Sequence, residues 1–347
     1  MKKSVFLSIL MLLAILVSSC APAATPTAEA PAAGAPATEA PSGEEPLEIV
    51  MVAKAEGISW FDDMRVGVEQ FGKDYGVNAY QIAPEGGDPA KQAQMVEDLI
   101  AKGVDAILVV PNDPKSMEPV LKKAKEKGIV VVAHEAQQLA PIVDFDMEAF
   151  KNEYFGEVMF EALAQAMDGE GQFTGFVGAL TMETHMQWFN AGLKYVQENY
   201  PDMEFVSPEP YEDMNDEKIS YAKFQEILLT YPDLKGAFGT SVSSTSMIGR
   251  VLQEKNNTQV MGVGLGLPSQ TGPYITEGWI KHAQCWRPAD AGYVTALIAY
   301  KILNGETVET GDNLEMPGYE SVTVENKIVY GNAPLILTAE TVDDYDF

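Results

Sequence analysis

Cysteine is almost absent from this chain of 347 residues: only Cys20 and Cys285 occur. No disulfide framework can therefore brace the fold. Histidine is nearly as scarce, and His134, His185 and His282 are too dispersed in sequence to form a metal-binding motif. Basic residues number 23 against 51 acidic ones, for a formal net charge of −28. That balance excludes a nucleic-acid binder, which needs a basic face. It also argues against capture of an anion by charge alone, and reads first as an acidic, soluble surface. Gly-x-Ser-x-Gly, a Walker-type phosphate loop and His-Glu-x-x-His are missing, which removes the commonest hydrolase, nucleotide and zinc-protease signatures. Gly262-Val263-Gly264-Leu265-Gly266 lacks a third glycine at dinucleotide spacing and reads as a strand end. Paired carboxylates such as Asp62-Asp63 and Asp343-Asp344 read as solvated faces. No metal and no cofactor is expected. Only one apolar run is long, residues 5–17, and it is short for a membrane-spanning helix.

What is present begins with that run. Lys2 and Lys3 precede it, and Val17-Ser18-Ser19-Cys20 close it. The arrangement resembles a bacterial lipoprotein export signal. It implies that residues 1–20 are a signal peptide, that Cys20 carries lipid, and that the rest is held outside the cytoplasm on the cell membrane. Residues 21–46 are rich in Ala, Pro, Thr, Ser, Gly and Glu, with no aromatic side chain. Such a segment cannot bury enough surface to offset its ordering entropy, so a disordered linker is expected.

About 300 residues remain, and 46% of the chain is hydrophobic, enough for one large domain or two medium ones. The body alternates short apolar runs with helical stripes. Asp88-Pro89 and Asp113-Pro114 each open a helix with a capping carboxylate and a proline at the first helical position. Gly76, Gly103 and Gly128 close helices. After residues 129–133 the pattern restarts with one long helix expected over residues 147–167. Strands alternating with helices predict an α/β fold with two doubly wound parallel-sheet lobes joined by a hinge. The expected division is 47–135 with 266–305 for the N-terminal lobe, and 136–265 with 306–347 for the C-terminal lobe. The strand at residues 280–285 and the helix at 288–303 are both expected to return to the first lobe. Residues 321–324 and 327–330 predict a hairpin turning near Asn326.

Several local motifs then bring a family into view. Lys102-Gly103-Val104-Asp105-Ala106-Ile107, followed by Pro111-Asn112-Asp113-Pro114, resembles the third strand and loop of the type I periplasmic solute-binding proteins that serve sugar ABC transporters. Lys127-Gly128-Ile129-Val130-Val131 and Gly262-Val263-Gly264 are similar to later strands of that family, and Gly305-Glu306 ends a helix as its members do. Trp60-Phe61, Met186-Gln187-Trp188, Cys285-Trp286 and the ending Asp344-Tyr345-Asp346-Phe347 resemble the branch holding the autoinducer-2 and rhamnose-type receptors. The resemblance implies a lipid-anchored receptor, not an enzyme. It would capture a sugar or related polyol between its lobes and deliver it to the permease subunits of an importer. It would act as a monomer, without nucleic acid. Lys54 matches the branch's lysine. Thr184 and His185 stand where that branch has an Asp-Gln pair, Glu135 where it has a hinge-strand aspartate, and Thr240 and Val242 near its Pro and Ala. These departures point away from autoinducer-2 towards a different sugar or polyol.

Ligands of open α/β sheets sit beyond the carboxyl ends of the strands. The residues that follow the expected strands are therefore the site candidates: Lys54, Trp60, Phe61, Asn112, His134, Glu135, His185, Gln187, Trp188, Thr240, Ser241, Leu265, Trp286 and Arg287. They supply aromatic faces for C–H patches and polar groups for hydroxyls. Other roles stay open at this point. Asp113 reads better as a helix cap, Thr240-Ser241 also fits a cap of the next helix, and Trp188 fits a core position. A sensory receptor for autoinducer-2 or a sugar, a surface glycosidase, and a nucleoside or amino-acid binder remain rivals. For an amino acid, Lys54 or Arg287 with Glu135 would supply the two charges.

Overall fold

The structure, a computed structural model, describes residues 46–347. The expected signal, linker and Cys20 lie outside the described residues. No helix among the described residues is long and apolar enough to cross a membrane.

In chain order the first half runs β1 (Glu48–Val52), α1 (Ser59–Tyr75), β2 (Asn78–Ile82), α2 (Pro89–Lys102), β3 (Ala106–Val109), α3 (Pro114–Glu126), β4 (Val130–His134) and β5 (Phe145–Glu148). The second runs α4 (Asn152–Ala166), β6 (Glu170–Val177), α5 (Glu183–Asn199), β7 (Asp202–Phe205), β8 (Tyr211–Glu212), α6 (Glu217–Thr230), β9 (Leu234–Gly239), α7 (Val242–Lys255), β10 (Met261–Leu265), α8 (Pro268–Thr276) and β11 (Ile280–Cys285). α9 (Pro288–Leu303), β12 (Thr323–Glu325), β13 (Ile328–Tyr330) and β14 (Leu335–Leu337) complete the chain.

These strands form two sheets of the same design. The first has the order β12-β13-β5-β4-β3-β1-β2, the second β14-β11-β10-β9-β6-β7 with β8 beside β6. Every pairing is parallel except β12–β13 and β11–β14. Within each sheet the first five strands of the block follow one doubly wound order, so strand order reverses between β1 and β3 in one lobe and between β6 and β9 in the other. Burial explains the apolar strands. On β1, Ile49 and Met51 join the core beneath α1 and α9, while Val50 and Val52 join the core beneath α2 and α3. A strand covered on both faces has no solvated side to mark with polar residues.

The helix ends follow the sequence signals. Asp88 accepts from the backbone N–H groups of Ala90 and Lys91, and Asp113 from that of Lys115. Gly76 and Gly103 take left-handed conformations at φ 67° and 79°, which glycine adopts without steric cost. α1 and α9 pack closely because Gly67 has no side chain: a Cβ there would lie 1.8 Å from the Ala289 carbonyl oxygen.

Three expectations on lobe membership are corrected. Residues 147–167 are not one helix. β5 precedes α4, and β5 belongs to the first sheet, beside β4. The strand at Ile280–Cys285 is β11 of the second sheet, parallel to β10, while α9 alone returns to pack on α1, β1, β3 and β4. The hairpin β12–β13 extends the first sheet through β5, not the second. It turns on Asn326 and Lys327, both at positive φ. In each case partner choice is a long-range pairing that the local pattern does not carry.

The chain therefore passes between the sheets at residues 149–151, 286–287 and 331–334. These passages are bonded to one another. Gly331 N–H donates to the Glu148 carbonyl at 2.8 Å and Ala333 N–H to the Ala149 carbonyl at 3.0 Å. Phe150 and Phe155 stack at 4.1 Å beside them, and Trp286 meets Phe150 edge-on at 5.2 Å.

Candidate functional site

The carboxyl ends of both sheets face the same gap, and a cavity lies there. Its first-lobe wall is Lys54, Ile58, Trp60, Phe61 and Glu135. Its second-lobe wall is His185, Trp188, Asn215, Ser241, Val242, Ser243 and Leu265, with Trp286 at a passage between lobes. The space open to water centres is about 30 Å³, room for roughly two waters. It shares Ile58, Asn215, Val242 and Ser243 with a wider outer groove of about 490 Å³. The inner space as it stands is too small for a sugar-sized solute.

The first-lobe wall is organised behind its surface. Gln92 donates its amide to the carbonyls of Ala53 and Val110 and accepts from the Asn112 N–H, tying the ends of β1 and β3 together. Asn112 in turn donates to the Lys54 carbonyl at 2.7 Å. Lys54 and Glu135 form an ion pair, each about 5% exposed. Burial alone would raise the Glu135 carboxyl, but the Lys54 ammonium outweighs it and holds the group below the ordinary range. Glu135 sits at φ 58°, a left-handed conformation unfavourable for a side chain of this type.

The second-lobe wall is built on a buried carboxylate. Asp213 accepts from the Ser241 hydroxyl at 2.6 Å, the Ser220 hydroxyl at 3.2 Å and the Asn215 N–H at 2.8 Å. It thereby fixes Met214 and Asn215, both at φ 53°, and aligns Ser241 as the cap of α7. His185, in the first turn of α5, accepts from the Gly178 N–H at 3.0 Å and stacks on Trp188 at 5.4 Å. Burial, and then Lys54, push its imidazole down to about 3, so it is uncharged at ordinary pH.

Four aromatic rings join the two walls. Trp60 meets Trp286 at 4.5 Å and Trp188 meets Trp286 at 5.8 Å, both edge-to-face, with Phe61 alongside. Direct bonds also cross the gap. The Thr184 hydroxyl donates to the Glu135 carbonyl at 3.0 Å, and the Gln138 N–H donates to the Glu183 carboxylate at 3.1 Å.

The cavity wall thus gathers Lys54, Trp60, Phe61, Glu135, His185, Trp188, Ser241, Leu265 and Trp286 of the sequence candidates. Five others lie off it. Asn112 supports Lys54 from behind. His134 is fully buried behind Glu135, its Nδ1 at 2.7 Å from the Met147 carbonyl. Gln187 bonds Asn152 at the interlobe seam. Thr240 is buried beneath Ser241. Arg287 points outward, 3.8 Å from Asp290 and over the Phe347 ring. Ile58, Asn215 and Ser243 were missed, and Val242 was reached only through the family resemblance. Three of these lie within the first turn of a helix or at its cap, one step beyond the strand ends. Asn215 has the weaker signal of an asparagine able to adopt a left-handed turn.

No cluster of three or more His, Cys, Asp or Glu side chains able to hold a metal occurs among the described residues. Cys285 is buried, and burial raises its thiol well above the usual value, so it is inert.

A model of the periplasmic binding protein domain family matches residues 49–307. A curated relative, the D-ribose/D-allose-binding protein of Pseudomonas aeruginosa, is 25% identical over 277 residues, covering 76% of this chain and 85% of the relative. Among solved structures, LsrB from Clostridium saccharobutylicum in complex with AI-2 aligns with a TM-score of 0.81 at 18% identity, covering 87% of this chain and all of that one. An L-rhamnose-bound solute-binding protein of Clostridium phytofermentas aligns with a TM-score of 0.78 at 19% identity, covering 86% and 98%.

Proposed function

This chain belongs to the periplasmic binding protein family, a family of substrate-binding proteins and not of enzymes, and we propose that it captures an uncharged sugar or polyol between its lobes. The observation that carries this reading is the charge balance of the cavity. On the wall itself one cation, Lys54, is matched by one anion, Glu135, and both histidines near them are held neutral by burial, while the Asp213 carboxyl lies behind the wall with its acceptors taken up by Ser241, Ser220 and Asn215. A charged solute would leave an unbalanced buried charge, which is costly. A neutral hydroxylated solute finds donors, acceptors and aromatic rings on both walls. Relatives named for D-ribose/D-allose and D-xylose support the sugar class.

Binding follows from the geometry. The three passages act as the hinge, the open form admits the solute, and groups from both lobes close on it. The bonds from Thr184 and Gln138 across the gap hold the closed form, so solute contacts need supply only part of its stability. The tether read in residues 1–46, with lipid on Cys20, would hold the protein outside the membrane. From there the closed form would deliver its cargo, unaltered, to the permease subunits of an ABC importer.

A thermal-shift screen over sugars, polyols, nucleosides and amino acids tests the class. A neutral sugar at about one hundred times its dissociation constant is expected to add roughly 2.7 kcal/mol of stability. A rise in melting temperature with amino acids or nucleosides alone would reject the sugar reading.

A further inference from the structure

His185 lines the cavity with its Nδ1 engaged by the Gly178 N–H, which leaves Nε2 as the nitrogen free to meet a solute, and the fold decides what that atom is. A backbone N–H can only donate, so the bond from Gly178 N–H requires a lone pair on His185 Nδ1. A neutral imidazole then carries its proton on Nε2. Turning the ring over in its own plane would put a carbon where Nδ1 stands and lose the Gly178 bond, so that bond fixes which nitrogen accepts. His134 shows the opposite arrangement. Its Nδ1 lies 2.7 Å from the Met147 carbonyl, which can only accept, so Nδ1 holds the proton and Nε2 keeps the lone pair. That Nε2 is buried without a hydrogen-bond partner, 3.8 Å from a Glu135 oxygen. Two histidines in one neighbourhood are thus set to opposite tautomers by two backbone groups of opposite kind.

We infer that His185 is a specificity-determining residue, a fixed Nε2–H donor that selects an oxygen lone pair on the solute and rejects a protonated amine at the facing position. The inference rests on the proposed function and sharpens its solute class. The titratable groups that face His185 are Lys54 and Glu135 of the other lobe; Gly178, Met182 and Asn215 of its own lobe are neutral. Lys54 is itself a donor, so an ammonium placed near His185 meets two donors and one carboxylate already paired. A hydroxyl, ring or carbonyl oxygen meets two donors it can accept from. The solute class is therefore a neutral hydroxylated molecule, with amino sugars excluded.

Two measurements test this on the full chain. In protein labelled with ¹⁵N-histidine, the His185 signals (identified by their loss in His185→Phe) should show a bare Nδ1 and a protonated Nε2 from pH 5 to 8. A protonated Nδ1, or an imidazolium in that range, overturns the inference. Calorimetry then compares D-ribose, D-xylose, L-rhamnose, D-glucose and D-galactose with D-glucosamine and D-galactosamine. His185→Phe keeps the stacked ring without the donor and should weaken the sugars that bind by about 10- to 100-fold. His185→Gln, which restores an N–H, should recover part of that loss. Unchanged affinity in His185→Phe, or an amino sugar held as tightly as its hydroxyl parent, overturns the inference. If the wild type ignores every sugar, the functional reading beneath it falls, while the tautomer is still decided by the labelled spectra.

Discussion

Replacing Lys54 with methionine is expected to destabilise the protein by about 3–5 kcal/mol, because it strands Glu135 as an unpaired buried carboxylate. Methionine keeps most of the stem's packing, so the loss isolates the charge. The effect has a defined pH dependence. In the wild type Lys54 holds the Glu135 carboxyl below its ordinary range against the pull of burial. Without Lys54 burial prevails and the folded-state value rises above the unfolded one. Stability of the variant should then fall as pH rises from about 4.5 through that raised value, and the deficit should be smallest in acid. Adding Glu135→Gln should recover most of the loss, since both charges are then gone. Urea denaturation at pH 5 and 8 on the two single variants and the double variant reads this directly. A double variant no more stable than Lys54→Met would show that packing, not charge, was lost. Sugar binding should weaken in all three.

Asp146→Asn should act in the other direction and stabilise the fold. Asp146 and Glu148 lie two residues apart on β5 and so share one face of the sheet, both almost fully buried. Asp146 Oδ1 accepts from the Ala136 N–H at 3.1 Å, but its Oδ2 and Glu148 Oε1 have no partner. Burial first, and the charges of Glu183 and Glu135 after it, raise the Asp146 carboxyl to about 7; burial and Asp146 raise Glu148 well above its usual value. A folded value above the unfolded one means that the native state holds a proton the unfolded chain releases. Stability is therefore full below about pH 4 and declines as pH rises towards 7. Asparagine keeps the acceptor for Ala136 and offers an N–H to the orphaned Glu148 oxygen. The gain should reach about 1–4 kcal/mol at pH 8 and vanish near pH 4. Equal destabilisation at both pH values would contradict this account of the pair.

The same pair shows why part of the fold was hidden in the sequence. The α/β alternation, the aspartate caps and the glycine stops are local signals with local causes, and they placed most helices and strands. β5 is a strand whose buried positions Asp146 and Glu148 are acidic, so Phe145-Asp146-Met147-Glu148 looks solvent-exposed and its apolar neighbours merge with the following helix. β11 is apolar enough to be seen as a strand, but nothing within Ile280–Cys285 says which sheet it joins. The strand-end rule brought most of the cavity wall into view because both sheets reverse their strand order at that gap. It failed where a residue's role lies behind the wall. His134 and Thr240 each precede a cavity residue, Glu135 and Ser241, and successive side chains point opposite ways, so the first of each pair turns inward, while Asn112 spends its amide on the Lys54 carbonyl behind the wall. It also missed Asn215, which reaches the cavity only because Asp213 holds two successive residues in left-handed conformations.

Tryptophan fluorescence tests the central claim most directly, since Trp60, Trp188 and Trp286 all line the cavity and only Trp279 lies elsewhere. Titration with a neutral monosaccharide from the screen should give a saturable, one-site change in emission that is lost in Lys54→Met, with the sugar recovered chemically unchanged. Emission that ignores every neutral sugar and polyol, or that answers them equally well in Lys54→Met, would contradict a site between the lobes built around this ion pair.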